Sequence, residues 1–548
     1  MPKRAAELLV QSLVAAGVKH LFTLSGNQIL PVYDATIGRE IQLVHTRHEA
    51  AAVHMADGWG RLTETPGVAL VTAGPGHCNS LSALYVALMA ESPVVLLSGH
   101  CPSTKIGRGA FQEIEQVATA LPVTKAAWMV SHPDNLGKDI TTALSLTQVG
   151  RPGPVHLSLP ADVLEATVSA SSESPNTSAL ERREEPRIDG GNTPHFSTSG
   201  RNSLITKALN LLSEAKRPLI LAGPAMARAL RWEEVERLSE RIGIPALPME
   251  SPRGVNDPWL HMAANSLALT DVVLLVGKKL DFSLRFAESP FSKDTRFIQI
   301  DADEKQLRKH ERVVLAIPDD PSRVVREMVV AAKEWRWPGS SWRTEVETAR
   351  NTVPLQWDQL RHSDQHPLHP LRVCEALQKF FDEGGIFISD GGEFGQWAQA
   401  GLQAQIRLIN GPSGAIGSAL PMALAAKLAY PQRQVFVILG DGTFGYHALE
   451  FDTAVRYELP VMAIVGNDAR WNAEYQLQIQ NYGAERTVGC ELLLSRYDKV
   501  VEALGGHGEF VQRAHELTPA LERAVASERP ACLNVAIEGV QAPTFPGK

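Results

Sequence analysis

Residues 435–471, VFVILGDGTFGYHALEFDTAVRYELPVMAIVGNDARW, decide the reading of the chain. The stretch opens on the apolar run Val435–Leu439, short and without alternation, as a strand buried on both faces of a parallel sheet reads. It breaks at Gly440-Asp441-Gly442-Thr443, after which the pattern predicts a helix to about Tyr457. A second apolar run, Val461–Val465, ends at Gly466-Asn467-Asp468. Two strands therefore each end in glycine followed by a carboxylate or amide. Ligands of open parallel sheets sit beyond the carboxyl ends of the strands. Glycine lets the backbone approach a phosphate there, and the N-terminus of the next helix favours an anion. Asp441 and Asp468 offer hard oxygens suited to Mg2+, which takes one or two carboxylates together with phosphate oxygens.

A GDG, a spacer and a pair at Asn467-Asp468 resemble the cofactor motif of the thiamine-diphosphate (ThDP) enzymes. The resemblance implies a Mg2+ held by Asp441, by Asp468 and by the backbone carbonyl of Arg470. Gly440, Gly442 and Thr443 would complete the diphosphate cradle. Asp468 departs from the asparagine usual at that place; it keeps an oxygen ligand and adds charge. A lone GDG is a common turn, and the paired element after the second strand is what makes the match specific.

At 548 residues the chain is too long for one core, so several domains are expected. The formal charge of −8 gives no electrostatic case for nucleic acid or an anionic membrane. Cys78, Cys101, Cys374, Cys490 and Cys532 form no CxxC, which argues against a disulfide framework or zinc site and for a reducing, cytoplasmic setting. No apolar run is long enough to span a bilayer, and the N-terminus reads as an amphipathic first helix.

The architecture expected is α/β, with three doubly wound parallel-sheet domains. Residues 1–165 carry apolar runs at His20–Leu24, Leu43–Val44, Val68–Val71, Val94–Leu97 and Val155–Leu159. Residues 166–202, rich in Ser, Pro and Glu, read as a linker. A second block, 203–334, has runs at Leu219–Ala222, Val272–Val276 and Phe297–Ile300. A connector, 335–370, leads to a third block, 371–548, with Ile386–Ser389, the two runs above and Leu533–Ile537. The resemblance makes these the pyrimidine-binding, central and diphosphate-binding domains and covers essentially the whole chain.

Within that frame Glu49, in Thr46-Arg47-His48-Glu49, resembles the family's activating glutamate. A carboxyl held against N1′ of the aminopyrimidine favours the imino form at 4′, which takes the proton from C2 of the thiazolium; a dry site raises the carboxyl toward sharing its proton. Taken alone, Glu49 reads rather as a first-turn acid on a helix dipole; the diphosphate motif turns the reading toward the activating role. The loop Thr72–Asn79 resembles the segment beside the two rings, with Pro75 and Asn79 as contacts and His77 either facing substrate or merely solvated. Phe111-Gln112-Glu113 matches a stretch whose Gln reaches the active site, and Asn27 and Gln28 fall where relatives line the substrate pocket. Gly414-Ala415-Ile416-Gly417 resembles the element that bends the cofactor: Ile416 as the wedge between the rings, the Gly414 carbonyl as acceptor for the 4′-amino group. Gly392, Glu393 and Phe394, in the stretch after Ile386–Ser389, would give backbone contacts to the diphosphate.

The match is nearest to acetolactate-synthase-like proteins. GYHALEFDTAVRYELP and GCELLLSRYDKVVEALGGHG resemble benzaldehyde lyase, and VGNDARW resembles one group of 2-hydroxyacyl-CoA lyases. Where acetohydroxyacid synthases carry a Trp that shapes the second-substrate site, this chain has Leu477, and the tail GVQAPTFPGK offers no basic lid for CoA. The resemblance implies a C–C lyase or carboligase acting on a 2-oxo acid, with a 2-hydroxyacyl-CoA lyase or benzoin-type aldehyde lyase as alternatives. FAD or a CoA/ADP moiety in the central domain stays open on the stretch GKKLDFSLRF. A flavin-dependent oxidase and a catalytically silent cofactor-binding subunit are the readings from other classes; the second would have lost Glu49 or the GDG carboxylate. A homodimer or homotetramer is expected, with Glu49 of one chain meeting the Gly440–Asp468 region of its neighbour.

Overall fold

The computed structural model describes residues 3–168, 198–335, 337 and 341–545. Most of the expected linker, 169–197, lies outside them. Its last residues, from Thr198, already belong to the helix Thr198–Ser213.

Three parallel sheets follow in chain order. The first has six strands: β1 (His20–Thr23), β2 (Gln42–His45), β3 (Gly67–Val71), β4 (Val94–His100), β5 (Ala126–Met129) and β6 (Val155–Pro160), ordered β2-β1-β3-β4-β6-β5. The central sheet comprises β7 (Pro218–Ala222), β8 (Ala246–Pro248), β9 (Val272–Val276), β10 (Arg296–Ile300) and β11 (Val313–Ile317), ordered β11-β10-β9-β7-β8. The third comprises β12 (Ile386–Ser389), β13 (Ile406–Ile409), β14 (Val435–Gly440), β15 (Val461–Asn467), β16 (His507–Val511) and β17 (Ala531–Ala536), ordered β13-β12-β14-β15-β17-β16. In each sheet the first strand pairs with the second on one side and the third on the other. The winding therefore reverses beside the first strand and opens a crevice at its carboxyl end, where such sheets bind ligands.

Strand residues alternate between two cores, as the two-residue period requires. In β3, Val68 and Leu70 face one core while Ala69 and Val71 face another. The second is shared: it also takes Val435, Val437 and Leu439 of β14, so the first and third domains are built over one apolar interior. Its centre is the contact between the helices Glu49–Thr63 and Ala419–Ala429. Gly58 makes that approach close, since a Cβ there would stand 3.0 Å from the Met422 Cα.

The stretch that decides the fold departs from expectation in one respect. The helix starts at Asp441 itself, with Gly440 as its cap, and is broken into Asp441–His447 and Glu450–Arg456. The connector is likewise not featureless. Its helices Ser341–Asn351 and Gln356–Arg361 put Trp342, Val346 and Trp357 into a core shared by the central and third domains. Among the described residues, no helix is long and apolar enough to cross a membrane.

Candidate active site

The residues picked out in the sequence gather at two of the three crevices. The first lies between β1 and β3. Glu49 opens its helix, only 8% exposed, and accepts a hydrogen bond from Asn79 Nδ2 at 3.0 Å. His48 caps that helix, its Nδ1 accepting from the Ala50 N–H. Gly76 lies under the carboxylate: a Cβ there would be 3.3 Å from Glu49 Oε1. Asn79 and Pro75 are exposed, so the niche of Glu49 opens outward.

Beside it runs a chain of amides. Thr72 Oγ1 donates to Gln28 Oε1 at 2.6 Å, and Gln28 Nε2 donates to Gln112 Oε1 at 3.0 Å. Gln112 has φ +61°, a left-handed conformation that is costly away from glycine and concentrates at functional sites. It is held there because Glu113 turns back to accept from the Gly107 and Ala110 N–H groups, closing the loop beneath it. The Gln112 carbonyl passes 2.7 Å from where Gly74 would carry a Cβ, and Gly74 itself has φ +56°. Any other residue at 74 would both clash and strain. Asn27 opens a short 3-10 turn before Gln28.

The second crevice lies between β12 and β14. Asp441 and Asp468 are neighbours here, and the pKa of each is pushed up to about 7, chiefly by burial and, for Asp468, next by the charge of Asp441. Backbone N–H groups of Gly442, Ala469 and Arg470 soften the effect on Asp441. Yet its Oδ2 is buried with no hydrogen-bond partner. A buried and a half-buried carboxylate side by side, with an orphaned oxygen, fit a hard divalent cation, which would supply the missing positive charge. Among the described residues no third acid, His or Cys converges with them, so further donors must be backbone carbonyls such as that of Arg470, water or ligand oxygens. Asn467 holds this loop in shape. Its Oδ1 accepts from the Ala469 N–H and its Nδ2 donates to Asn534 and to the Ser495 carbonyl, while Ala469 takes φ +55°.

Around the pair the backbone is close. Gly442 lies against the Trp471 ring, 2.7 Å from its would-be Cβ, and Thr443 Oγ1 donates to the Gly440 carbonyl. Gly392 begins the helix Gly392–Gly401 at φ +86°, with open space beside it. Glu393 points away: it accepts from Arg253 and from the Ala542 N–H, so only its backbone is available here, and Phe394 packs into the core. Ile416 is half-buried and lies over Gly391, its Cγ2 2.8 Å from a Cβ that Gly391 lacks. It belongs to none of the apolar cores, which a plain core residue would. Gly414 (φ +70°) is exposed beside it.

Asp390 joins these loops. Fully buried, it accepts from the Gly391, Gly417 and Ala419 N–H groups and fastens the loop of Ile416 onto β12. Asp390 follows the strand run Ile386–Ser389 directly, but nothing in the local spacing shows this role. Gln116 is a second residue not foreseen: it accepts from the Gly74 N–H and donates to the Gly99 carbonyl, fixing the turn beside Glu49. His77 is neither substrate-facing nor solvated. It is fully buried, with Ser98 on Nδ1 and Thr119 on Nε2, because it packs inward against His156. Leu477 lies more than half exposed on the helix Asn472–Tyr482.

Among the described residues no hydrogen bond or ion pair joins Glu49 itself to Asp441 or Asp468, although the segments that carry them touch: the Arg47 N–H donates to Glu450 and Arg47 pairs with Asp452 at 3.7 Å. The central crevice differs from both: a Cβ on Gly223 would meet the Gly277 carbonyl at 2.3 Å, and Arg151 pairs with Glu91 and Asp301 across its mouth.

Comparison with known proteins agrees domain by domain. Residues 3–119 match the thiamine pyrophosphate enzyme N-terminal TPP binding domain, 205–328 the central domain and 390–535 the C-terminal TPP binding domain. The chain is 36% identical to the acetolactate synthase large subunit IlvG of Mycobacterium tuberculosis over 97% of its own length and 95% of that protein's. It is 32% identical to 2-hydroxyacyl-CoA lyase 2 of Bos taurus over 94% and 86%. To the 2-hydroxyacyl-CoA lyase of Oryza sativa it is 30% identical, over 96% and 94%. With both crevices built as described and all three domains matched, the chain belongs to the thiamine-diphosphate-dependent enzymes of the acetolactate-synthase-like type.

Proposed function

We propose that this enzyme uses ThDP with Mg2+ as a C–C bond lyase and carboligase on a 2-oxo acid, by decarboxylation, acyloin formation or both, and that it works as a homodimer or a dimer of dimers. The observation that carries the reading is the division of labour between the crevices. One presents a buried acid, Glu49, in a niche open to the surface; the other presents an acid pair in want of a cation.

Asp441, Asp468 and the Arg470 carbonyl would hold Mg2+, and the helix N-termini at Gly392 and Asp441 would receive the diphosphate. Ile416 would wedge the rings and the Gly414 carbonyl would orient the 4′-amino group. Glu49 would hold a proton at N1′, kept in place by Asn79. Bound there, the cofactor supplies the electron sink for breaking or making a bond beside a carbonyl. Gln28 and Gln112 would offer amide donors to a substrate carboxylate or carbonyl. A second copy would bring Glu49 of one chain to the Asp441 and Asp468 of the other. The central crevice, crossed by Arg151, lends no support to FAD or a CoA nucleotide there.

A second reading, cleavage of a 2-hydroxyacyl-CoA or of a benzoin-type acyloin, is favoured by Leu477, where acetolactate formation would be served by a Trp. A panel of pyruvate, benzoylformate, 2-hydroxyacyl-CoAs and acyloins, with ThDP and Mg2+, separates them. Turnover of a 2-oxo acid is expected; turnover of acyl-CoA or acyloin alone would replace the first reading by the second.

A further inference from the structure

A cleft of about 450 Å3 lies where the three domains meet, lined by none of the residues assigned to the cofactor. The end of the helix Glu49–Thr63 gives it Arg61 and Leu62; the segment after β7 gives Arg228, Leu230 and Trp232; the third domain gives Ile406, Leu408, Tyr430 and Arg433. That volume suits a small ligand.

Four arginines and four glutamates line it, but most of the acids are already engaged. Of the lining acids, Glu64 pairs with Arg231 at 3.1 Å, Glu250 with Arg407 at 3.0 Å and Glu233 with Arg237 at 3.2 Å. Glu236 accepts from the Trp232 indole at 2.6 Å. Arg228, only 8% exposed, donates solely to the Ala90 and Glu91 carbonyls among its described hydrogen bonds. Arg61, also buried, donates to the Ile409 carbonyl, with its nearest carboxylate, Asp57, at 4.0 Å. Arg433 donates to the Gly384 carbonyl. Arg61 is thus paired with the buried Asp57, while among the described residues Arg228 and Arg433 meet only carbonyls, against one lining acid without an ion-pair partner, Glu236. Burial, and then the like charges of Arg231 and Arg61, press the Arg228 pKa down to about 9. A buried cation in that position is short of a counter-charge. Guanidinium groups meet carboxylate and phosphate with strong, directed hydrogen bonds.

We propose that this inter-domain cleft is a binding site for a small organic anion, one carboxylate or phosphate group on a short apolar body. The anionic group lies among Arg228, Arg61 and Arg433, and the apolar body lies against Leu62, Leu230 and Tyr430. Because the cleft takes a wall from each domain, its occupant clamps all three. This site is independent of which reaction the enzyme performs.

The test uses the full chain loaded with ThDP and Mg2+, so that the diphosphate crevice is filled. Inorganic phosphate and butyrate are titrated calorimetrically at constant ionic strength, with chloride as control. The variants are Leu230→Glu, which sets a negative charge at the exposed rim, Arg433→Gln, and Arg228→Gln with its fold checked by circular dichroism. Saturable binding of at least one probe is expected, weakened about ten-fold or more by Leu230→Glu and by Arg433→Gln, the loss typical of one charged hydrogen bond. Binding of phosphate alone assigns a phosphate ester, and of butyrate alone a carboxylate. No saturable binding by either probe, or binding unchanged in Leu230→Glu and Arg433→Gln, overturns the proposal.

Discussion

Asp441 and Asp468 are held in a state that water would not choose. Asp441 is buried and Asp468 half-buried, the charge of Asp441 acts on Asp468, and both carboxyls sit at about 7 instead of near 4. A raised folded pKa means that the unfolded chain gives up its proton first. In metal-free protein these acids therefore lower stability as pH rises from about 4 to about 7, and Mg2+ reverses the effect by favouring the charged forms. Mg2+ and ThDP should accordingly raise the melting temperature more at pH 7.5 than at pH 5, which thermal denaturation with and without chelator measures. Asp468→Asn should stabilise the metal-free protein by on the order of 1 kcal/mol, since a neutral amide costs less to bury than a second carboxylate. Glu49→Gln acts elsewhere: it should keep ThDP affinity by calorimetry yet lose about 10² to 10⁴ in rate, the usual contribution of a general acid–base group. Retained C2–H/D exchange by NMR in that variant would make Glu49 a mere helix-end charge. These residues were legible because GDG and Asn-Asp are local spacings. The roles of Asp390 and Gln116, and the part Asn467 plays in holding its loop, were not, because they depend on partners tens of residues away in the chain: Gly417, Gly74 and Asn534.

At the scale of elements the same contrast holds. All but one of the runs read from sequence became inner strands, whose residues are almost all buried, as in β3, β9 and β15; Leu43–Val44 became the edge strand β2. The five strands not foreseen, β5, β8, β11, β13 and β16, are all sheet edges; β8, β13 and β16 are short or broken by Pro, Arg, Gly or Glu, whereas β5 (AAWM) and β11 (VVLAI) are apolar runs that the reading of the sequence passed over. Where the helices Glu49–Thr63 and Asp441–His447 meet, His54 and His447 lie 5.7 Å apart, ring to ring, and His48 lies 5.8 Å from His447. Burial, then the neighbouring imidazoles, hold His54 down to about 3 and His447 to about 4. A depressed folded pKa means the unfolded chain protonates first as pH falls below about 6.5. In the Mg2+- and ThDP-loaded enzyme, where the aspartates are held charged, stability should therefore drop from pH 6.5 toward 4. Urea midpoints across that range measure the drop, and His54→Gln should reduce it.

For the whole molecule, the two groups belong to different crevices of a chain whose first and third domains share one core. The account requires that one cofactor be gripped by Asp441 and Asp468 of one copy and activated by Glu49 of another, in the closed two-fold pairing usual for homo-oligomers. Sedimentation should accordingly find no active monomer. Mixing tests the claim most directly. Glu49→Gln and Asp441→Ala chains, each inactive alone, are unfolded together and refolded with ThDP and Mg2+. In a mixed dimer one site then carries both defects and the other carries none, so activity should return to about a quarter of the wild-type value when chains pair at random. If Glu49 and Asp441 of the same chain served the same cofactor, every site would keep one defect, and the mixture would stay as inactive as its parents.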